Sequence, residues 1–299
     1  MKWLLLFCNV LLLTFSVSHS NKLGFLDVGQ GDCILIQTAT GENILFDCGS
    51  SSRKYIGKNV LLPCLKYYGI RQLDAVIVSH PDKDHMNGIQ ELIEFAEGEG
   101  ISVKQLVLPG IEQTAREHEF GELLQMAESE WESRCKVRYL AAGDSWTYGK
   151  GTGKEIRFQC LHPEMNMSGE DSNAYSLCVL VSFGRTTCLL TGDVESEGER
   201  NLTERLAFEN QSEVTILKCA HHGSRNATSA DLLWQIAPKT AIISCGRNNR
   251  YGHPHEEVLA RLQDTGAGVF RTDEDGAILV TIDEKRGNVK IRRFGSLTE

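Results

Sequence analysis

The chain has 299 residues, 41% of them hydrophobic and 24% charged, with only 6 prolines and no low-complexity tract. That composition supplies a sizeable apolar core, fits one large α/β domain or two smaller ones, and argues against long disorder. The formal net charge of −9 argues against a protein that holds nucleic acid mainly by a basic surface, although bound divalent cations add local positive charge that a side-chain count omits.

Lys2 precedes an apolar run over residues 3–17, broken only by Asn9, Thr14 and Ser16, and Ser18 and Ser20 follow in a small-x-small pattern. Residues 1–20 therefore read as a secretory signal peptide, with a membrane anchor as the alternative, because the run is shorter than the roughly 20 residues of a spanning helix. The expected location is outside the cell, or attached to the outer side of a membrane. None of the 10 cysteines forms a CxxC pair, and Cys33, Cys178, Cys188 and Cys219 sit within apolar runs. Mostly free, buried thiols are expected, not a thiolate zinc site.

From residue 21 onward strands and helices alternate. A strand is predicted over 23–28, and a hairpin over 33–37 and 43–47 turns at Thr40-Gly41. A helix over 56–68 stops at Gly69. Residues 75–79 (AVIVS) read as a buried strand, followed by a helix over 89–97, a strand over 103–108 and a long helix over 120–134. Residues 143–153, rich in Gly, Lys and Thr, read as an exposed loop and the best candidate for a mid-chain boundary. Strands follow at 156–161, 176–183, 187–191, 214–218, 241–244 and 277–282, with helices near 197–207, 229–236 and 255–264. The first half has an apolar hairpin closing on Phe46-Asp47-Cys48-Gly49, and the second half has one closing on Thr191-Gly192-Asp193. Such a half-repeat predicts two sheets, each covered by helices on its outer side.

The chemistry concentrates at strand ends. SHPDKDH, residues 79–85, follows the buried strand AVIVS and crowds His80, Asp82, Asp84 and His85 into six residues. Packing gives no reason for that crowding, whereas metal coordination does. Positions 80 and 82 alternate in step and can converge on one ion, while Asp84 and His85 open a new helix and can turn toward a second. Two ions about 4 Å apart need a bridging ligand, and Asp193 in LLTGD is the natural bridge, with Gly192 allowing close backbone approach. A plain helix cap is the other reading of Asp193. LKCAHHGS, residues 217–224, ends another buried strand in a histidine pair, which suggests one ligand and one proton-handling neighbour. His222 is favoured as the ligand, with the choice between it and His221 left open. SCGRNNRYGHPH, residues 244–255, offers Asn249, Tyr251 and His253 as substrate contacts or a proton donor, and Arg247 and Arg250 as phosphate partners. Lys218 and Ser224 are further candidate substrate contacts. Asp27, Gln30 and Asp32 in LDVGQGD, with Asp47 and Asn173, are expected to orient the ligands through hydrogen bonds. For Asp47 a direct role is an equal reading.

These elements, in this order, resemble the metallo-β-lactamase superfamily, and more closely the C-terminal hydrolase domain of the ComEC competence DNA-uptake proteins. The matching stretches are FLDVGQGDCILI, ILFDCG, VLLPCLKYYGI, VIVSHPDKDHMNGI, CLLTGDVESEGE, ILKCAHHGS, APKTAIISCGRNNRYGHPH and VFRTDEDGAI, from about residue 23 to about 285. The resemblance implies an α/β fold, the αββα sandwich of two mixed sheets with helices on the outer faces, making residues 21–299 one hydrolase domain. It also implies two divalent ions held by His80, Asp82, Asp84, His85, Asp193 and the histidine pair, and a phosphodiesterase or nuclease task on DNA, single-stranded DNA above all. The superfamily motif is usually HxHxDH, and Asp82 stands at its second histidine. The usual third-motif histidine is not evident either, and LHPEMNMSGEDSNAYS offers His162, Asp171, Asn173 and Ser176 instead. Oxygen-rich coordination of this kind favours Mn²⁺ or Mg²⁺ relative to Zn²⁺. ComEC proteins carry a multi-helix membrane channel ahead of this domain, and here a single short apolar segment precedes it. A separate channel protein is thus a conceivable partner. The expected mechanism is metal-assisted hydrolysis with Asp84 essential and a proton donated by His221, His222 or His253. Two other readings remain: a metallohydrolase of a small phosphodiester, such as a phosphorylcholine esterase, or of a lactone; and a non-catalytic module binding DNA or a partner.

Overall fold

A period of two along the strands sets the layers of the molecule, because alternate side chains leave a sheet on opposite faces. The structure is a computed structural model and describes residues 20–131, 134–167, 171–283 and 287–295. In chain order it runs through β1 (Asn21–Phe25), β2 (Cys33–Gln37), β3 (Asn43–Cys48), a π-helical turn (Gly57–Leu61) and α1 (Leu62–Tyr67). Next come β4 (Gln72–Leu73), β5 (Ala75–Ile77), α2 (Lys83–Phe95), β6 (Ser102–Val103), β7 (Gln105–Pro109), α3 (Gln113–Trp131) and β8 (Lys136–Leu140). The second half contains β9 (Ser145–Tyr148), β10 (Ile156–His162), β11 (Cys178–Phe183), β12 (Thr186–Leu190), α4 (Ser196–Phe208), β13 (Ile216–Lys218) and α5 (Ala230–Ile236). It closes with β14 (Thr240–Ile243), α6 (Glu256–Thr265), β15 (Gly268–Arg271), β16 (Ile278–Asp283) and β17 (Asn288–Arg293).

One sheet has the order β17-β16-β1-β2-β3-β5-β7-β8, and the other β15-β14-β13-β12-β11-β10-β9. Both are mixed. In the first, β3, β5, β7 and β8 are parallel. In the second, β12 to β15 are parallel and β9 to β12 antiparallel. Ile34, Ile36, Ala75 and Ile77 of the first sheet meet Val179, Val181, Ile216 and Ile242 of the second in a core between the sheets. Their strand neighbours Cys33, Leu35 and Val76 face outward onto Ile89, Leu92 and Ile93 of α2. Leu180, Leu217 and Ala241 likewise face α4, α5 and α6 through Leu202, Leu233 and Val258. This is the expected αββα sandwich, in which both sheets are buried on both faces along their parallel strands.

Four strands of the two large sheets are not announced by the sequence pattern, β8, β9, β15 and β17, and neither is the two-residue β4 of the small third sheet. All four are sheet edges. Edge strands carry polar and charged residues that discourage further pairing, and those residues blur the alternation. The 143–153 stretch is therefore not a plain loop. Ser145–Tyr148 pairs with β10 and stacks Trp146 on Phe158 at a centroid distance of 5.0 Å. The predicted strand over 103–108 also divides: Ser102–Val103 pairs with Gln72–Leu73, and only Gln105–Pro109 joins the main sheet. The apolar run over 3–17 lies outside the described residues. Among the described residues no helix is long and apolar enough to cross a membrane, and nine cysteines are free thiols.

Candidate metal centre

The ends of β3, β5, β12 and β13 converge on one spot, each delivering a turn of short polar residues. Close backbone approach makes the convergence possible. A Cβ on Gly49 would lie 2.5 Å from the carbonyl carbon of Asp84 and the amide nitrogen of His85, and one on Gly192 would lie 2.8 Å from Cβ of Ser79. Glycine is the residue that permits such contacts. Asp82 occupies the N-cap position of α2, with Asp84 and His85 in its first turn. Asp47, His221 and His222 adopt left-handed backbone angles, φ 54°, 48° and 55°. Non-glycine residues enter that region at a cost, and such residues cluster at functional sites.

Hydrogen bonds at the outer ring nitrogens fix where the imidazole lone pairs point. His85 Nδ1 lies 2.9 Å from Oδ2 of Asp47, and His222 Nδ1 lies 2.9 Å from the Ser244 carbonyl. Both partners only accept, so both Nδ1 atoms carry the proton and both Nε2 atoms present lone pairs inward. Those Nε2 atoms are 3.4 Å apart, each 3.2 Å from a carboxylate oxygen of Asp193. Oδ2 of Asp84 lies 3.7 Å from His222 Nε2. His80 is set by a relay: Ser79 Oγ donates to Asp47 Oδ2 at 2.7 Å, and His80 Nδ1 lies 2.9 Å from Ser79 Oγ. His80 therefore donates from Nδ1, and its Nε2 is buried without a hydrogen-bond partner, 3.9 Å from Oδ2 of Asp82. Asp193 Oδ1 is likewise buried without a donor. Converging imidazole nitrogens and carboxylate oxygens, two of them buried without a hydrogen-bond partner, are what a cation centre requires and what packing disfavours.

Charge gives the same answer. Asp32, Asp47, Asp84 and Asp193 bring four carboxylates to the centre, and Lys218 brings one ammonium, leaving three negative charges uncompensated in a mostly buried site. Burial opposes the charged form of His85, yet Asp193 and Asp47 outweigh it and hold its pKa well above the usual imidazole value. His222 is similarly opposed by burial and raised, chiefly by Asp193, to about 9. His80 is pushed down to about 3 by burial and by His85. Without a cation, protons gather on the imidazoles to offset the carboxylates. Divalent ions would take that place, so the residues present fit a metal centre.

Asp32, His85, Asp193 and His222 offer ligand atoms all within 4.8 Å of one another. Asp32 nevertheless differs from the other three, because its carboxylate takes the Lys218 ammonium in direct contact. An ammonium there competes with a metal cation for the same oxygen. The geometry favours Asp84, His85, Asp193 and His222 as one group, with His80 and Asp82 beside them.

Several expected contacts are corrected by burial and bonding. Lys218 is fully buried and bonds Asp32 and the Gly192 carbonyl, so it balances charge beneath the centre and does not touch a substrate. Ser224 is 4% exposed and caps the Asn226 amide. Asn249 spends its side chain bracing its own loop: it donates to the Gly246 and His253 carbonyls and accepts from the Tyr251 and His253 amides. Asp27 pairs with Arg53 and caps Gly29, away from the ligand atoms. Asp193 is not a helix cap, since Glu195 holds the N-cap position of α4. Ser176 Oγ instead accepts from the Asp193 amide at 3.3 Å. His162 donates Nε2 to the Ala174 carbonyl at 2.7 Å and stands apart from the cluster. Asn173 is in the short helix Ser172–Tyr175, whose Ser172 donates to Asp82 Oδ1 at 2.9 Å. Gln30 bridges to His253 Nδ1 at 3.5 Å and accepts from the Gly246 amide at 3.1 Å. Tyr251 and Arg247 border an open cleft beside the centre.

The two paired histidines separate cleanly. His222 points into the cluster and is 1% exposed. His221 sits on the rim, with Nδ1 2.9 Å from Oε2 of Glu195 and Nε2 3.8 Å from Asp193. His253 is 5.6 Å from His221 between ring centroids, and its pKa is lowered to about 4 by burial, His222 and His221. Glu195 and Ser79 are the residues sequence reasoning missed. Each adjoins a recognised motif, TGD and HPDKDH, but only the fold shows what its side chain reaches.

Residues 26–103 match the model of the metallo-β-lactamase superfamily. ComE operon protein 3 of Bacillus subtilis is 32% identical over 300 residues, covering 95% of this chain and 36% of that protein. Recombination protein 2 of Haemophilus influenzae is 31% identical over 293 residues, covering 97% of this chain and 32% of that protein. The chain thus spans about a third of the length of these curated relatives. Among solved structures, the metallo-β-lactamase fold protein YhfI from Bacillus subtilis superposes with a TM-score of 0.54 at 14% identity, covering 84% of this chain and 95% of that chain, a likeness of fold alone. Sheet order, the cluster at the strand ends and these similarities agree: the chain carries a metallo-β-lactamase superfamily domain, and it aligns along most of its length, at 31–32% identity, with ComE operon protein 3, Recombination protein 2 and the Competence protein ComA of Neisseria gonorrhoeae.

Proposed function

We propose that this chain is a metal-dependent phosphodiesterase that cuts single-stranded DNA in a DNA-uptake setting, exported or held at the outer side of a membrane, where a channel protein is a fitting partner. The observation that carries the chemistry is the pair of imidazole Nε2 atoms 3.4 Å apart, flanked by Asp193 and turned inward by the outer hydrogen bonds at Nδ1, so that a cation displacing their protons meets two lone pairs at once. The DNA assignment is supported by relatives named for competence and recombination. His80 and Asp82 would hold one divalent ion, Asp84, His85 and His222 a second, and Asp193 both. Two such ions supply four positive charges, which match the four negative ones left when Asp82 is counted with the other carboxylates and Lys218 is subtracted. When bound, they supply Lewis-acid polarisation of phosphoryl oxygens and a nucleophilic water at neutral pH. Asp47 keeps His85 and, through Ser79, His80 in the tautomers that ligation needs. His221, aligned by Glu195 on the open rim, holds a proton at Nε2 for the departing oxygen.

The test is incubation of the purified protein with Mn²⁺ and either labelled single-stranded DNA or a small phosphodiester. Cleavage of the DNA, abolished in an Asp84→Ala variant with unchanged circular dichroism, is the expected result. Cleavage of the small ester alone would move the assignment to a small-molecule metallohydrolase, which the net charge of −9 also suits. Stoichiometric metal without turnover of either substrate would leave a binding module. Full activity in folded Asp84→Ala would remove the site assignment.

A further inference from the structure

The loop after β3 and the loop after β14 face each other across a cleft of about 390 Å³. Arg53 stands on one wall and Arg247 and Arg250 on the other, and no carboxylate is among the lining residues. In a chain of net charge −9 that is a local reversal of sign. The cleft also touches the metal centre at two points. Ser51 Oγ in its wall donates to Asp84 Oδ2 at 3.2 Å, and Gln30 in its floor reaches His253. Arg53 and Arg247 also line a larger depression of about 960 Å³, in which Asp27 and Asp273 bring negative charge back.

We infer that this cleft is the track of a single DNA strand, holding the phosphates that flank the scissile bond on Arg53, Arg247 and Arg250. The inference rests on the phosphodiesterase reading and deepens it by naming where the strand beyond the scissile bond is held: on the arginines of this cleft, so that a polyanion of several nucleotides is gripped better than an isolated phosphodiester. A volume of about 390 Å³ is in the range of pockets that enclose small ligands. All three arginines are exposed, and Arg247 donates its Nε to the Asp273 carbonyl at 3.2 Å. Arg250 lies over Tyr251 at 4.7 Å and donates to its hydroxyl, and among the described residues no carboxylate lies within ion-pair distance of it. Arg53 pairs with Asp27 at 3.2 Å but keeps half of its side chain exposed. Guanidinium groups bind phosphate oxygens in a fork and keep their charge at any pH. The Tyr251 ring is already engaged by Arg250 and His253, so the cleft offers charge and not a free stacking platform. Binding is therefore indifferent to base sequence.

The test is fluorescence anisotropy of the full chain with labelled thymidine dinucleotide and octanucleotide, in EDTA across a salt series, repeated in Mn²⁺ with a phosphorothioate octanucleotide. The octanucleotide should bind at least about tenfold more tightly than the dinucleotide, since only it reaches the arginines. Arg250→Ala and Arg53→Ala should each weaken the octanucleotide about tenfold and lower the salt slope by about 0.7, the value per phosphate contact for single strands. Arg250→Lys should restore the slope, because it keeps the charge. Equal affinity for the two lengths, or an Arg53→Ala/Arg250→Ala double variant that is folded and keeps the wild-type slope, would overturn the inference. So would a wild-type protein that binds no octanucleotide in either buffer. Failure of the nuclease reading is separable: arginine-dependent binding without any cleavage in Mn²⁺ rejects the activity and keeps the track, whereas cleavage with arginine-independent binding does the reverse.

Discussion

The buried Lys218 offers the sharpest test of how charge is balanced in this fold. Its ammonium contacts Asp32, donates to the Gly192 carbonyl at 3.0 Å and lies 3.6 Å from Asp193. Burial opposes its charge, but Asp32 and Asp193 outweigh that and raise its pKa above the usual lysine value. At 3.6 Å the Asp193 attraction alone is about 5 kcal/mol with an effective dielectric of about 20. Desolvation of both charges consumes much of this, and removing one partner of a buried pair typically costs about 3–5 kcal/mol because the other charge is stranded. Lys218→Met should therefore lower stability by about 3–5 kcal/mol in urea unfolding with EDTA present. Lys218→Met/Asp32→Asn should recover most of that loss, because the stranded carboxylate is gone. A saturating divalent ion should stabilise Lys218→Met by more than it stabilises the wild type. Strictly additive losses in the double variant, or a Lys218→Met protein as stable as wild type in EDTA, would refute the reasoning.

Three further outcomes are expected. Asp47→Asn keeps the size of the side chain but replaces an acceptor facing His85 and Ser79, and metal affinity measured by competition with a chelating dye should fall about 10–100-fold; unchanged affinity would detach Asp47 from the centre. His221→Ala should lower kcat about 10²–10⁴-fold on DNA, with little effect on a p-nitrophenyl phosphodiester whose leaving group needs no proton. Equal losses on both substrates would deny His221 the donor role, and Glu195→Gln should follow the same pattern more weakly. Glu199 accepts from the amides of Thr228 and, at 2.8 Å, Ser229, and burial raises its pKa above the usual value of 4.5 in spite of those bonds. A folded-state pKa above the unfolded one means the folded protein binds the extra proton. The stability this contributes is complete below pH 4.5 and lost as pH rises through the folded value. The stability difference between wild type and Glu199→Gln should accordingly shrink with rising pH, and a difference that grows would reverse the sign of the shift.

The local chain was enough to place the sheets and the main ligand run. The apolar run over 33–36 and the apolar stretch at Ala75–Ile77 are properties of neighbouring residues, as is the crowding of His80, Asp82, Asp84 and His85 after that strand. Hydrophobic runs and unusual polar density at a strand end survive in one dimension, which is why alternating strands and helices and a two-sheet half-repeat were legible there, while the αββα arrangement itself came from the family resemblance. The four edge strands were not, because their polar faces answer to solvent and not to a core. Tertiary structure alone decided the rest. It set His222 inward and His221 on the rim through two left-handed residues in succession. It paired Lys218 with Asp32, turning an expected substrate contact into a buried counter-charge. It also brought Arg53 opposite Arg250. A side chain's identity is written in the sequence, but its direction and its partner depend on backbone angles and on distant strands that meet only when the two sheets close on their common core.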